Sequence, residues 1–280
     1  MNEPVGRLRT AAVITFYRDD RFFPEALASV LAQTRPADEI IVVDDATPAG
    51  YAETLRVLDP RVKLIRHTHN RGPGAARQTG ADASTSELIA YLDADDVWLP
   101  TKLQRQLDLL QREPDADAIH TALVTVRADG RESVYLDKPR VLDLVTELKK
   151  NQMLPSALMI RRSALASVGG WSPDQKLMED WDLGTRLVAA GKRVVFLPEP
   201  LVRFRRVGQG NLSSRGWLHL GILLRTMWHH RELYRRELGL RRTVGVAATL
   251  IRHEGFRRGG VSGRALRVAG RAIAVVAPRG

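Results

Sequence analysis

Leu88-Ile89-Ala90-Tyr91-Leu92-Asp93-Ala94-Asp95-Asp96 runs from an unbroken apolar stretch straight into three carboxylates. An apolar run of this length with no polar alternation reads as a strand buried on both faces, as in a parallel sheet covered by helices. Like charges packed at its carboxyl end repel one another unless something positive neutralises them. A hard divalent cation such as Mg²⁺ or Mn²⁺, which takes oxygen ligands, is the economical partner. The competing account is helix capping, with Asp95 or Asp96 at the start of a helix beginning near Trp98, where the helix dipole favours carboxylates. For an isolated Asp-x-Asp, capping is the better account, because so short a motif matches by chance.

Outward from this strand, short β-branched runs alternate with helical patterns, the signature of βαβ units around a mainly parallel sheet. Strands are predicted at Thr10 to Phe16, Glu39 to Asp44, Val62 to His67 and Leu88 to Asp93, with helices at Phe23 to Gln33, Tyr51 to Leu58 and Pro73 to Ala83. Ligands of such sheets gather at the carboxyl ends of the strands, which here carry Thr15, Asp44-Asp45 and Asp93 to Asp96. The spacing of Leu99, Leu103, Leu107 and Leu110 predicts an amphipathic helix from Trp98 to Arg112. Further strands are expected near Ala118 to Arg127, Ala157 to Arg161 and Arg193 to Leu197, and helices near Leu142 to Lys149 and Trp181 to Ala190. Pro198 and Pro200 are expected to close this part, and helical patterns resume at Trp217 to Leu238.

Three other clusters can carry chemistry. Asp44-Asp45 ends a buried strand, where a carboxylate can accept hydrogen bonds from a base or ribose; a turn before Thr47-Pro48 explains it equally well. Asn70-Arg71-Gly72-Pro73-Gly74-Ala75-Ala76-Arg77 combines glycines, a proline suited to a first helical turn and an arginine one turn inside a helix whose N-terminus could face phosphate. It lacks the Lys-Ser/Thr ending of a Walker loop, and no Gly-x-Gly-x-x-Gly follows the first strand, which weakens kinase-like and NAD-binding readings. Glu179-Asp180-Trp181-Asp182-Leu183 follows the acidic cluster at a distance and opens a helix. A carboxylate there can take the proton of an attacking hydroxyl, or simply complement the helix dipole.

The 280 residues, 44% hydrophobic and 27% charged, suffice for a full core, and the absence of cysteine removes thiol nucleophiles, thiolate metal sites and disulfides. No signal-like run opens the chain and no stretch of about 18 apolar residues occurs, so a cytoplasmic protein, soluble or peripheral on the inner face of a membrane, is expected. The net charge of +11 is uneven: Leu201 to Gly280 holds 17 arginines against 3 glutamates, leaving residues 1 to 200 at −3. In the tail, Trp217, Leu220, Leu223, Leu224, Met227 and Trp228 are expected on one apolar helix face with Arg225, Arg231, Arg235 and Arg236 around it. That pattern suits an anionic membrane surface and equally a helix packed on the main domain. Ala265 to Val276 places Arg264, Arg267 and Arg271 beside an apolar stripe, which suits a membrane-facing, an oligomer-forming or a poorly ordered segment.

In order, Ala12-Val13-Ile14-Thr15-Phe16-Tyr17, Ser29-Val30-Leu31-Ala32-Gln33-Thr34, Ile41-Val42-Val43-Asp44-Asp45, the Asn70–Arg77 segment, Tyr91 to Asp96, Trp98-Leu99-Pro100 and Glu179 to Leu183 resemble glycosyltransferase family 2. Seven ordered motifs at family-like spacing, over roughly residues 8 to 210, are far more specific than any one of them. The resemblance implies the A-type glycosyltransferase fold: a mainly parallel central sheet flanked by helices, with a Rossmann-like nucleotide-binding half. Residues 1–210 would be the catalytic domain and 211–280 a basic helical extension.

The resemblance also implies roles. Thr15, Phe16, Tyr17 and Arg18 would border the nucleotide, Asp44 would contact base or ribose, and Arg77 would lie near the nucleotide. Asp93 would bind ribose or metal-bound water, Asp95 would be the principal ligand of Mn²⁺ or Mg²⁺, and Asp96 would lie beside the donor sugar. Asp180 would be the general base, with Glu179 and Trp181 shaping the acceptor site. The expected reaction is inverting transfer of a single sugar from a nucleoside-diphosphate sugar to a glycan or lipid-linked acceptor. The family's Tyr-Arg-x-His segment is replaced by Phe204-Arg205-Arg206-Val207-Gly208-Gln209, so Arg205 or Arg206 would stand in for the histidine as charge partner. The alternatives are a nucleotidyltransferase, whose glycine-rich basic loop is missing, and a non-catalytic nucleotide-sugar or nucleic-acid binding protein. Nucleic acid is not the expected partner, because the basic tail carries no recognised nucleic-acid motif.

Overall fold

The computed structural model describes residues 8–18, 21–48, 59–173, 175, 178–206, 216–258 and 264–271, with backbone only at 216–219 and 254–258. The chain divides into two compact units, Met1–Asp143 with Asn151–Val207, and Leu144–Lys150 with Gly208–Gly280.

The first unit opens with β1 (Thr10–Phe16), α1 (Phe23–Leu31), β2 (Glu39–Asp44), β3 (Val62–Arg66), α2 (Pro73–Asp82) and β4 (Leu88–Asp93). Among the described residues β3, β2, β1 and β4 lie side by side and parallel. The pleat sends alternate residues of each strand to opposite faces. Ala12, Ile14 and Phe16 of β1 join Phe23, Leu27 and Val30 of α1 in one core. Val13 joins Tyr91 of β4 and Ala76 and Ala81 of α2 in the other. Helix α2 lies so close to the sheet that a Cβ added at Gly80 would stand 2.3 Å from Cγ1 of Val13. That approach explains the glycine.

Beyond β4 the sheet becomes mixed. The chain continues through β5 (Val97–Trp98), α3 (Lys102–Arg112), β6 (Ala118–Arg127) and β7 (Glu132–Val134). After α4 (Leu144–Lys149), which belongs to the second unit, come a 3₁₀ turn at Pro155–Ala157, β8 (Leu158–Arg161), α5 (Arg162–Ser167), α6 (Glu179–Ala189) and β9 (Val194–Arg206). Strand β8 is antiparallel to β4 and β6, and β6 runs parallel to β9.

Three expectations are corrected. The helix expected from Trp98 starts at Lys102, because Val97 and Trp98 pair with Arg203 and Val202 as a short strand. Pro198 and Pro200 do not end the domain: β9 passes through them to Arg206, and the register against β6 shifts at Thr121 to Leu123. An irregularity of that kind is where a sheet accommodates residues without an N–H. The helix expected at Trp217 to Leu238 is two helices, α7 (Gly216–His229) and α8 (Arg231–Arg258), the second kinked at Gly239 with φ 69°. The helix expected at Tyr51 to Leu58 lies outside the described residues.

In the second unit, Leu148 of α4 packs with Met227, Tyr234, Leu238 and Val246, and the Tyr234 hydroxyl donates to the Leu148 carbonyl at 2.7 Å. The single apolar face expected on α7 is divided. Leu220, Leu223 and Met227 are buried, whereas Leu224 is half-exposed and Trp228 is 69% exposed. The side chain of Trp217 and residues 272–276 fall outside the described residues. Among the described residues, no helix is long and apolar enough to cross a membrane.

Candidate active site

The pleat that divides the two cores also selects which strand-end residues meet. Thr15 pairs with Asp93 across β1 and β4, both on the α2 side, and the Thr15 hydroxyl donates to Asp93 Oδ1 at 3.2 Å. From α2, Arg77 reaches the same oxygen with Nη2 at 2.6 Å, while its Nη1 donates to Glu179 Oε1 of α6 at 2.7 Å. One guanidinium, 3% exposed and 5.0 Å from the Trp171 ring centroid, therefore joins the end of β4 to the start of α6. Two carboxylates hold it firmly in the charged form, and its pKa is raised. Burial, aided by neighbouring Asp180, pushes the Glu179 carboxyl up to about 7 despite Arg77.

Asp95 is half-exposed at the mouth of the strand end. Asp96 is fully buried: Oδ2 accepts from Ser156 Oγ at 2.5 Å and Oδ1 from the Arg205 backbone N–H at 3.0 Å. Burial, then the adjacent charges of Asp95 and Asp93, push the Asp96 carboxyl well above the usual range. Of the two arginines considered as charge partners, Arg205 comes to the cluster. Its Nη1 donates to the Asp95 carbonyl at 3.2 Å and its Nη2 pairs with Glu25, whereas Arg206 is exposed. The donor set offered by Asp93 and Asp95 is all oxygen and anionic, which fits Mn²⁺ or Mg²⁺.

Asp180 lies in the first turn of α6. Its Oδ1 accepts the Trp181 N–H at 2.8 Å and its Oδ2 accepts Asn151 Nδ2 at 2.8 Å. Burial raises its pKa above the ordinary carboxylate value against the opposing pull of Arg77. A carboxylate so adjusted is a better proton acceptor than an exposed one.

The paired aspartates at the end of β2 divide their work. Asp45 accepts the backbone N–H groups of Arg71 and Gly72, each at 2.8 Å, and lies 2.7 Å from Nδ1 of His67, whose other nitrogen meets Thr79. Those two amides, just ahead of α2, are thus engaged by Asp45. Asp44 is buried, accepts the Thr47 N–H at 2.8 Å and lies 3.0 Å from Arg66 Nε, which is the turn geometry weighed above.

Tyr17 and Arg18 are exposed and stacked, with the Arg18 guanidinium 4.9 Å from the Tyr17 ring. Phe16 points instead into the α1 core, 1% exposed and edge-on to Phe23, and Trp181 is buried within α6. Among the described residues, three non-glycines have left-handed backbones: Arg18 (φ 65°) after β1, Ala46 (φ 63°) after β2 and Met178 (φ 64°) before α6. Such strain concentrates at functional sites. Ser156 and Asn151 carry no motif, and nothing in the sequence marked them.

A family model described as Glycosyl transferase family 2 matches residues 11–168. The amylovoran biosynthesis glycosyltransferase AmsE of Erwinia amylovora is 25% identical over 81% of this chain and 84% of its own length. Other relatives are matched over 34% to 36% of theirs. S. aureus TarS 1–349 in complex with UDP-GlcNAc has a TM-score of 0.67 at 13% identity, over 96% of this chain and 91% of that one. The mannosyltransferase PcManGT from Pyrobaculum calidifontis, in complex with GDP-Man and Mn²⁺, has a TM-score of 0.60 at 21% identity, over 98% and 82%. At these identities the structural likeness establishes the A-type glycosyltransferase fold. With the family model spanning more than half of its length, the chain belongs to glycosyltransferase family 2.

Proposed function

We propose that the chain transfers a single sugar from a nucleoside-diphosphate sugar to a hydroxyl of a cell-envelope or other glycan, inverting the anomeric carbon, with Asp180 as general base. The observation that carries this reading is the guanidinium of Arg77 between Asp93 and Glu179, which holds the donor-side carboxylates and the Asp180 turn in one site. The acceptor oxygen attacks the anomeric carbon as its proton passes to Asp180. The new C–O bond forms while the bond to the diphosphate oxygen breaks, and the nucleoside diphosphate leaves with the electron pair. No covalent intermediate is needed.

Asp95, with Asp93, would hold a divalent cation, Mn²⁺ or Mg²⁺. When bound, it neutralises charge developing on the leaving diphosphate. Thr15, Tyr17 and Arg18 border the nucleotide in this reading, and the buried Asp44 acts from the turn after β2. Arg77, Asp96, Phe16 and Trp181 act from beneath the site, since each is buried. Ligand complexes of the two structural neighbours, and the amylovoran biosynthesis in the name of the Erwinia relative, support the donor class and the setting.

The acceptor's setting rests on α7. Leu224, Arg225, Trp228 and His229 form one exposed stripe, with the Arg231 guanidinium 5.2 Å from the Trp228 ring. An aromatic tip amid arginines suits an anionic bilayer surface, where a lipid-linked acceptor resides. Co-sedimentation with phosphatidylglycerol vesicles tests this: Leu224→Ala/Trp228→Ala is expected to lose binding, and unchanged binding overturns it.

The donor reading is tested by thermal stabilisation with a panel of nucleoside-diphosphate sugars, with and without Mn²⁺. At least one is expected to stabilise the protein in a metal-dependent way, by about 2.7 kcal/mol at a hundredfold excess over Kd, and Asp95→Ala is expected to abolish the metal dependence. Stabilisation of Asp95→Ala equal to that of the wild type contradicts the assignment.

A further inference from the structure

Between α4 and β8 the chain runs through Asn151-Gln152-Met153-Leu154-Pro155-Ser156-Ala157, which touches both halves of the site. At one end, Ser156 Oγ donates to Asp96 Oδ2 at 2.5 Å and accepts the Asp93 N–H at 3.1 Å, while its carbonyl accepts Trp98 Nε1 at 2.9 Å. At the other end, Asn151 Oδ1 accepts the Met153 N–H at 3.0 Å. A backbone N–H can only donate, so this bond fixes which end of the amide is oxygen and leaves Nδ2 as the donor to Asp180 Oδ2, 2.8 Å away.

We propose that Asn151 is a positioning residue for Asp180, and that the 151–157 strap, anchored on the acidic cluster by Ser156, sets the register of the base against the donor carboxylates. This rests on the reading of Asp180 as the base. The geometry explains how. Asp180 receives two N–H donors, one on each oxygen, from Trp181 in its own helix and from Asn151 across the strap. Two donors on two oxygens select one side-chain orientation and favour the ionised form, the form that accepts a proton. The Trp181 amide travels with α6, so Asn151 is the donor that ties the carboxylate to a different element. Its own amide cannot rotate without giving up the Met153 N–H. Ser156 uses one hydroxyl in both senses, as donor to Asp96 and acceptor from Asp93, so a shift of the strap is felt at the donor end and at the base together.

The test is the pH dependence of kcat for sugar transfer by the full chain, with wild type, Asn151→Ala, Asn151→Asp and Asp180→Asn measured side by side. Asn151→Ala is expected to lower kcat about tenfold or more with donor KM little changed, as loss of orientation at a proton-transfer group would. The acidic limb is expected to move up by on the order of one pH unit, because a hydrogen bond favouring the charged form is gone. Asn151→Asp keeps the acceptor for Met153 and replaces the donor by a negative charge, so it reports even if the alanine variant fails to fold. Its acidic limb is expected to move further in the same direction. A profile for Asn151→Asp that superimposes on the wild type, with Asp180→Asn inactive, overturns the positioning role and leaves the base standing. Wild-type turnover in Asp180→Asn overturns the base itself.

Discussion

Arg77 and Asp93 lie 2.6 Å apart, Nη2 to Oδ1, and the arginine is almost wholly inside the protein. Because its other amino group holds Glu179, removing the guanidinium strands two carboxylates at once. Arg77→Ala is expected to lower the stability of the first unit by about 3–5 kcal/mol, the scale for breaking a buried ion pair. Arg77→Lys restores the charge but not the planar fork, and is expected to recover only part of it. Urea denaturation of both variants checks this; a loss below ~1 kcal/mol for Arg77→Ala would show the bridge to be incidental.

Glu179 gives a pH dependence with a definite sign. Its folded pKa is raised from 4.5 to about 7, so the folded state holds the proton more tightly than the unfolded state does. Its contribution is fully present below the unfolded value and is lost as pH rises through the folded one. Glu179→Gln keeps an acceptor for Arg77 and removes the titration. The wild type is expected to lose more stability than Glu179→Gln between pH 5 and 7.5, and parallel curves for the two proteins would contradict this.

Gly80 is required by the nearness of α2 to β1, since a Cβ there would stand 2.3 Å from Val13 Cγ1. Alanine in a helix interior ordinarily gains about 0.5–1 kcal/mol over glycine. Here the overlap outweighs that gain, and Gly80→Ala is expected to destabilise by about 1–3 kcal/mol. Thermal unfolding of Gly80→Ala, Val13→Ala and the double variant separates the effects: part of the loss should be recovered when Val13 is also cut back.

The parallel half of the sheet was legible because β2 and β4 bury both faces and so read as continuous apolar runs ending in carboxylates, and β1 as a β-branched run beside them. The predicted bounds of these three strands coincide with the observed ones. Trp98 was misplaced because its neighbour Leu99 is spaced in step with the leucines of α3, while its own backbone pairs with β9. Pro198 and Pro200 read as a stop because the register shift that admits them is set by β6, more than seventy residues earlier. Phe16 shared a motif with Thr15 yet falls on the opposite face of the pleat, a distinction settled only by the partners of β1. Ser156 and Asn151 were invisible for a plainer reason: each is a single polar residue in an irregular segment, and their partners lie 60 and 29 positions away.

The central claim is that Asp180 accepts the proton of the attacking hydroxyl. It is tested most directly by the turnover of Asp180→Asn, an isosteric change that keeps the Trp181 N–H bond and removes the base, measured with the nucleotide-sugar found by stabilisation and saturating Mn²⁺. A fall in kcat of about 10²–10⁴-fold, with metal-dependent donor stabilisation retained, is the expected result. Sugar transfer at the wild-type rate by folded Asp180→Asn would contradict it.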